Sequence, residues 1–223
     1  MTDPAPPARA EIPPRVVGRS VRGRAIVAHF LGDAGPPLLV HAGIHGDEPG
    51  AVALVERFVA TLESAPPSGR VIALPAVNPD GLAELRKDNA RGVDLNRNFP
   101  ARSWRRDHPP GYDPGPSPLS EPESAALAAL VDAEAPARIV AVHQPFACVN
   151  WDGPARELAE RMAAASGWPA VADVGYPTPG SFGACYGVDR GLPVITLELP
   201  RPVGEEDLLA GLRALRAALG FPG

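Results

Sequence analysis

The stretch at residues 37–48, PLLVHAGIHGDE, joins an apolar segment to a glycine-flanked turn that carries a histidine and a glutamate. The apolar segment has the length and the Leu and Val content of a β-strand buried on both faces. Gly43 and Gly46 let the backbone bend after the strand, and helical periodicity begins at Gly50. The stretch therefore predicts a strand, a turn and a helix in direct succession, which is typical of α/β sheet proteins.

The same alternation continues on both sides of this stretch. Segments rich in β-branched residues predict strands at residues 24–31, 37–42, 70–77, 138–143 and 193–199. Apolar spacing predicts helices at residues 50–63, 121–134, 155–166 and 205–219. We expect one α/β domain over residues 15–223, a three-layer sandwich with a mixed, mostly parallel twisted sheet and helices on both faces. A flexible, proline-rich lead is predicted at residues 1–14.

Composition limits the classes of partner. The 223 residues suffice for one domain with a substantial core. The formal net charge of -5 argues against binding to nucleic acid or anionic lipid. No segment approaches the roughly 18 uninterrupted apolar residues of a membrane span, and residues 1–17 lack the pattern of a secretory signal. We expect a cytoplasmic protein with no membrane or nucleic-acid partner, and the sequence leaves the oligomeric state open.

Three residues form a candidate metal site. His45 and Glu48 are three apart in the turn, and His143 ends the predicted strand at 138–143. Catalytic zinc commonly takes three protein ligands and keeps its fourth position for water. A His-x-x-Glu pair alone is frequent by chance, so the prediction depends on the distant third ligand. His41 lies inside the predicted strand and is interpreted as a core residue or a support for the ligands.

Two further segments carry candidate chemistry. Glu198 interrupts an otherwise apolar predicted strand, and a buried carboxylate is costly without a partner. It is either a general base or one half of an ion pair with a residue such as Arg201. In the polar stretch at residues 86–120, Asn96 and Arg97 offer donors that match a carboxylate. That segment is either a substrate-binding loop or a solvated turn, and its length favours function.

Taken together, these segments resemble the zinc carboxypeptidase family, whose motifs they follow in order. Within that family the resemblance is strongest to bacterial murein peptide amidases, cytoplasmic enzymes that cut the γ-D-glutamyl–meso-diaminopimelate bond. It covers roughly residues 24–215 and rests on the following segments: His45-x-x-Glu48, residues 78–81 (NPDG), 92–100 (GVDLNRNFP), 143–145 (HQP), 148–154 (CVNWDGP), 176–181 (YPTPGS) and 196–200 (TLELP).

The resemblance implies a role for each candidate residue. His45, Glu48 and His143 would hold one Zn²⁺, and Glu198 would be the catalytic glutamate. The partner would be a small peptide substrate, and Asn96 and Arg97 would bind its carboxylate. A basic residue before this pair would stabilise the oxyanion, and here Arg86 is preferred over Lys87.

The family also implies a mobile tyrosine and a segment that determines side-chain preference. Tyr176 matches the tyrosine by its spacing to Glu198, with Tyr186 as the alternative, and Ser181 lies in the segment that sets side-chain preference. Two other functions stay open. One is an N-acyl-amino-acid deacylase of the aspartoacylase and succinylglutamate desuccinylase type, and the other is a non-catalytic, zinc-containing peptide-binding module.

Overall fold

The computed structural model describes residues 13–220. Its strands are β1 (Arg15–Arg19), β2 (Ala25–Leu31), β3 (Leu38–His41), β4 (Val71–Leu74), β5 (Arg138–His143), β6 (Phe146–Asp152), β7 (Ala170–Val171) and β8 (Val194–Pro200). Its α-helices are α1 (Pro49–Ser64), α2 (Pro79–Glu84), α3 (Pro122–Glu134), α4 (Arg156–Ser166) and α5 (Glu205–Leu219). A 3₁₀ turn spans Leu95–Arg97, and a π-helical segment spans Gly183–Asp189.

The strands form one sheet in the order β1-β2-β4-β3-β5-β8-β6-β7. The middle pairs β3–β4, β3–β5 and β5–β8 are parallel, as is the edge pair β6–β7. The pairs β1–β2, β2–β4 and β6–β8 are antiparallel. This confirms the prediction of a mixed, mostly parallel sheet.

Two apolar cores lie on opposite faces of the sheet because side chains alternate along each strand. Leu38 and Val40 point to the core that α1, α4 and α5 cover. Leu39, between them, points to the core shared with α3 and the π-helical segment. Helices therefore cover both faces, which confirms the three-layer sandwich.

All five predicted strands and all four predicted helices are present, with ends shifted by at most a few residues. Five further elements were not predicted from the sequence: β1, β6, β7, α2 and the π-helical segment. In β6 the polar residues Asn150 and Asp152 line a cavity, and their presence hides the apolar pattern of a buried strand. The predicted irregular region at residues 86–120 contains only the 3₁₀ turn.

The predicted lead at residues 1–14 falls outside the described residues, apart from its last two positions. Within residues 13–220, no helix combines the length and the apolar character needed to cross a membrane.

Candidate metal centre and active site

The three predicted metal ligands meet at the carboxyl edge of the sheet. His45 follows β3, Glu48 directly precedes α1, and His143 is the last residue of β5. Because β3 and β5 are parallel neighbours, their carboxyl ends lie side by side. One potential ligand atom from each residue lies within 4.8 Å of the other two. The Nδ1 atoms of His45 and His143 lie 2.9 Å and 3.0 Å from the two carboxylate oxygens of Glu48.

The electrostatics of this cluster favour an ionised carboxylate. Burial alone would raise the pKa of Glu48, but His143 and His45 outweigh burial and lower that pKa to about 2. Two imidazoles and one carboxylate, converging in a largely buried position, are a ligand set that suits catalytic zinc. The donor set therefore fits a divalent metal ion.

Asp94 supports this ligand set from behind. Its Oδ1 lies 3.1 Å from His45 Nε2, the ring nitrogen that faces away from Glu48. Burial would lower the pKa of His45, but the Glu48 and Asp94 carboxylates raise it to about 10. A carboxylate behind a ligating histidine fixes the orientation and tautomer of the ring. This role of Asp94 was not predicted from the sequence, where the available signal was an aspartate two residues before Asn96.

Glu198 stands beside the ligands. It is the register partner of His143 in the parallel pair β5–β8 and is buried, with 6% of its surface exposed. Burial, aided by Glu48, raises its pKa against the opposing effect of His143. The alternative ion pair with Arg201 is absent among residues 13–220, since that guanidinium lies 3.5 Å from the Asp47 carboxylate instead.

The polar loop enters the same cavity, whose volume is about 300 Å³. Both Asn96 and Arg97 line it. Arg97 is buried and donates through Nη1 to the carbonyl of Asn96 at 2.7 Å. Asn96 accepts a hydrogen bond of 3.0 Å from the N–H of Phe182. The loop is therefore packed, contrary to the solvated-turn interpretation.

The structure separates the two candidate basic residues. Arg86 does not line the cavity, and its guanidinium lies 3.6 Å from Glu84. Lys87 lines the cavity and places its Nζ 2.6 Å from Asp94 Oδ2. The preferred assignment of Arg86 to the oxyanion is therefore not supported by its position, while the alternative, Lys87, lies beside the metal ligands. The two residues are adjacent, so only the path of the loop decides which one faces the cavity.

The candidate tyrosines also differ in position. Tyr176 is exposed and lines the cavity, with Phe146 6.2 Å from it between ring centroids. Tyr186 is fully buried, and its ring centroid lies 4.5 Å from that of Phe182. Ser181 lines the cavity, and its Oγ accepts a hydrogen bond from Ala184 N, which supports the start of the π-helical segment. Tyr176 and Ser181 can therefore meet a substrate, whereas Tyr186 belongs to the core.

His41 is a core residue rather than a ligand. It is fully buried, and its ring centroid lies 4.7 Å from that of Phe182. Neither ring nitrogen has a hydrogen-bond partner within the described residues. Burial, with a smaller contribution from His143, lowers its pKa to about 3, so the ring is neutral at physiological pH.

The amino-acid sequence was compared with protein families and with individual known proteins. The profile of the succinylglutamate desuccinylase/aspartoacylase catalytic domain matches residues 34–117, less than half of the chain. Murein peptide amidase A of Escherichia coli K12 is 39% identical over 181 residues, covering 76% of this chain and 73% of that protein.

Solved structures of related proteins have the same fold. The murein-tripeptide amidase of Escherichia coli O157 superposes with a TM-score of 0.79 at 33% identity, covering 100% of this chain and 99% of that one. Carboxypeptidase A of Helicoverpa armigera gives a TM-score of 0.74 at 19% identity, with 93% and 68% covered, and shares the fold. This chain belongs to the murein peptide amidase family and has a zinc carboxypeptidase-like fold.

Proposed function

We propose that this protein is a zinc-dependent hydrolase that cuts the amide bond between γ-D-glutamate and meso-diaminopimelate in murein peptides. The observation that carries the proposal is the convergence of a His-Glu-His ligand set, a buried glutamate and an arginine on one cavity. The similarity to murein peptide amidase A and to the murein-tripeptide amidase of Escherichia coli supports the substrate class.

Each residue has a separate task in this proposal. His45, Glu48 and His143 would hold the metal ion, which would supply Lewis acidity toward the amide carbonyl and lower the pKa of water. Glu198 takes a proton from the attacking water and then delivers it to the departing amine.

Binding and charge stabilisation fall to other residues. Arg97 and Asn96 bind the carboxylate of the released residue and fix the bond near the metal. Lys87 replaces Arg86 as the group that stabilises the oxyanion, because Lys87 lies in the cavity. Tyr176 and Ser181, which line the same cavity, contact the substrate there.

The test is the mass-spectrometric detection of free diaminopimelate after zinc-loaded protein is incubated with L-Ala-γ-D-Glu-meso-diaminopimelate. Release that stops on chelation and returns with zinc is expected. The deacylase alternative has partial support from the profile match, so N-acetylaspartate and N-succinylglutamate are included. Their hydrolysis without release of diaminopimelate would refute the proposal. Binding of the peptide with no hydrolysis would favour the non-catalytic module.

A cytoplasmic location, as expected from the sequence, would place the activity in peptidoglycan recycling, where cell-wall peptides are broken down to reusable amino acids. We include this role in the proposal.

A further inference from the structure

Asp152, the last residue of β6, presents an unpaired carboxylate to the active-site cavity. It is partly buried, and across residues 13–220 its carboxylate makes no hydrogen bond or ion pair. Burial raises its pKa, with no other group contributing to the shift. A partly desolvated carboxylate without a cation is unfavourable in the free protein. A cationic group of a bound ligand would remove this cost.

The surroundings of Asp152 leave little freedom for its side chain. A methyl group placed on Gly183 would lie 2.2 Å from Asp152 Oδ2, and one placed on Gly187 would lie 2.4 Å from its Cβ. The π-helical segment therefore packs directly against this residue. Asp152 does not cap that segment, because the N–H groups of Phe182 and Ala184 bond instead to Asn96 and Ser181.

The position of Asp152 in the sheet relates it to the proposed chemistry. In the antiparallel pair β6–β8, Asp152 is opposite Val194, four positions before Glu198. Asn150 lies between these levels, opposite Thr196, and both of these polar residues line the same cavity. Four residues along a strand span roughly 13 Å. Glu198, the proposed base, and Asp152 thus lie near opposite ends of one cavity wall.

The carboxylate clamp lies at the Asp152 end of this wall. Asn96 is tied to Phe182 by a hydrogen bond of 3.0 Å, and Phe182 directly precedes Gly183, the residue that Asp152 contacts. Arg201 and Asp47 line the cavity beyond the other end of the wall. A residue whose carboxylate is held by Asn96 and Arg97 would therefore extend its side chain toward Asp152.

We infer that Asp152 binds the side-chain ammonium of the residue that the enzyme releases and so selects a diamino acid at that position. The inference rests on the proposed function and names the part of the substrate that this carboxylate recognises. In meso-diaminopimelate, three methylene groups separate the two amino-acid centres, so the distal ammonium can lie beside Asp152 while the near carboxylate stays with Asn96 and Arg97. A side chain without an ammonium group would bury Asp152 while leaving it unpaired, and that loss opposes binding.

The experiment compares two peptides that differ only in the distal amine: L-Ala-γ-D-Glu-meso-diaminopimelate and L-Ala-γ-D-Glu-L-2-aminopimelate. With zinc-loaded protein, kcat/KM for the first should exceed that for the second by about tenfold or more. In Asp152→Asn, which keeps the shape of the side chain beside Gly183, hydrolysis of the diaminopimelate peptide should fall. Hydrolysis of the aminopimelate peptide should be unchanged or faster, so the preference is lost.

Asp173→Asn is the matched control. Asp173 lines the same cavity and carries the same charge, but it is exposed and already accepts a hydrogen bond of 2.8 Å from Gly175 N. This variant should keep the preference between the two peptides.

Four results would overturn the inference. The first is equal hydrolysis of both peptides by the parent protein, which would leave the proposed function standing. The second is a preference retained in Asp152→Asn, and the third is an equal loss of preference in Asp173→Asn. The fourth is an equal loss on both peptides in an Asp152→Asn protein with unchanged Tm, which would assign Asp152 a structural role. Failure of the zinc-loaded parent to cleave either peptide would instead contradict the proposed function, and the inference would fall with it.

Discussion

His143 and Glu198 are register partners in the neighbouring parallel strands β5 and β8. Paired residues in adjacent strands lie about 4.8 Å apart and point to the same side of the sheet. The third proposed metal ligand and the proposed base are therefore placed next to each other by the hydrogen-bonded sheet rather than by a loop. Such rigid placement is what proton transfer beside a metal ion requires.

Replacement of the base should separate metal binding from turnover. We expect Glu198→Gln to keep the metal, because its ligands are unchanged, and to reduce kcat by about a hundredfold to ten-thousandfold. Elemental analysis and steady-state kinetics on the same preparation measure both effects. Glu48→Gln is the contrasting variant and should lose metal as well as activity. Near-parental kcat in Glu198→Gln would refute its role as base.

Two adjacent basic residues should differ sharply in effect. We expect Lys87→Met to lower kcat by about a hundredfold, as for the loss of an oxyanion donor. Arg86→Met should have little effect, because Arg86 lies outside the cavity beside Glu84. Metal content must be measured in parallel, since Lys87 also pairs with Asp94. A greater loss of kcat in Arg86→Met would instead assign the oxyanion to Arg86.

The carboxylate behind His45 should control metal affinity. Asp94→Asn keeps the size of the side chain but removes the charge that faces His45 Nε2 at 3.1 Å. We expect zinc to bind about tenfold to a hundredfold more weakly, as measured by competition with a chromophoric chelator. Asp88→Asn, in the same loop, is the control and should bind zinc like the parent. Equal affinities in Asp94→Asn and the parent would refute this positioning role.

Arg97 should discriminate between charged and neutral substrates. Arg97→Ala should raise KM for the tripeptide by about tenfold to a hundredfold, because a charge-assisted hydrogen bond is lost. The same tripeptide with a carboxamide in place of the carboxylate next to the scissile amide should be affected far less. The ratio of kcat/KM values for the two peptides measures this discrimination. An unchanged ratio would show that Arg97 does not bind the carboxylate.

Asp80, away from the active site, should link stability to pH. Burial raises the pKa of Asp80, but hydrogen bonds from Arg22 N (2.9 Å) and Arg24 Nη1 (2.5 Å) outweigh burial and hold that pKa below its usual value. A pKa that is lower in the folded state contributes stability above the unfolded value of about 3.9. This stability is lost as the pH falls through the folded pKa.

We therefore expect Asp80→Asn to lower the free energy of unfolding at pH 7 by about 1–3 kcal/mol. The difference from the parent should shrink at pH 3, because this pH lies below the unfolded pKa of about 3.9 and Asp80 is then mostly protonated in the unfolded parent. Urea denaturation at both pH values measures it. Glu84→Gln is the exposed control and should change stability far less at pH 7. A difference that is the same at pH 7 and pH 3 would refute the linkage.

The elements that the sequence predicted share one property: their own side chains carry the signal. The strands β3, β5 and β8 are short apolar runs, and α1 and α5 have an apolar side. Missed elements depend on their surroundings instead. In β6, Asn150 and Asp152 are tolerated because that part of the strand lines a cavity, and no periodicity within the strand reports this.

The sequence by itself determined the α/β class, the His45-x-x-Glu48 pair in a turn after a strand, and the candidates His143, Glu198 and Arg97. Residue type, spacing and the ends of strands suffice for these assignments, because local hydrogen bonding and side-chain alternation fix them. The tertiary structure alone decided that Lys87 rather than Arg86 enters the cavity and that Tyr186 belongs to the core.

Two further relationships also needed the tertiary structure. Asp94 lies behind a histidine 49 positions earlier in the chain, and Asp152 lies without a partner on the cavity wall. These depend on the path of loops and on contacts between distant segments. The physical reason is that neither desolvation nor the direction of a side chain in an irregular segment is encoded in a local sequence period.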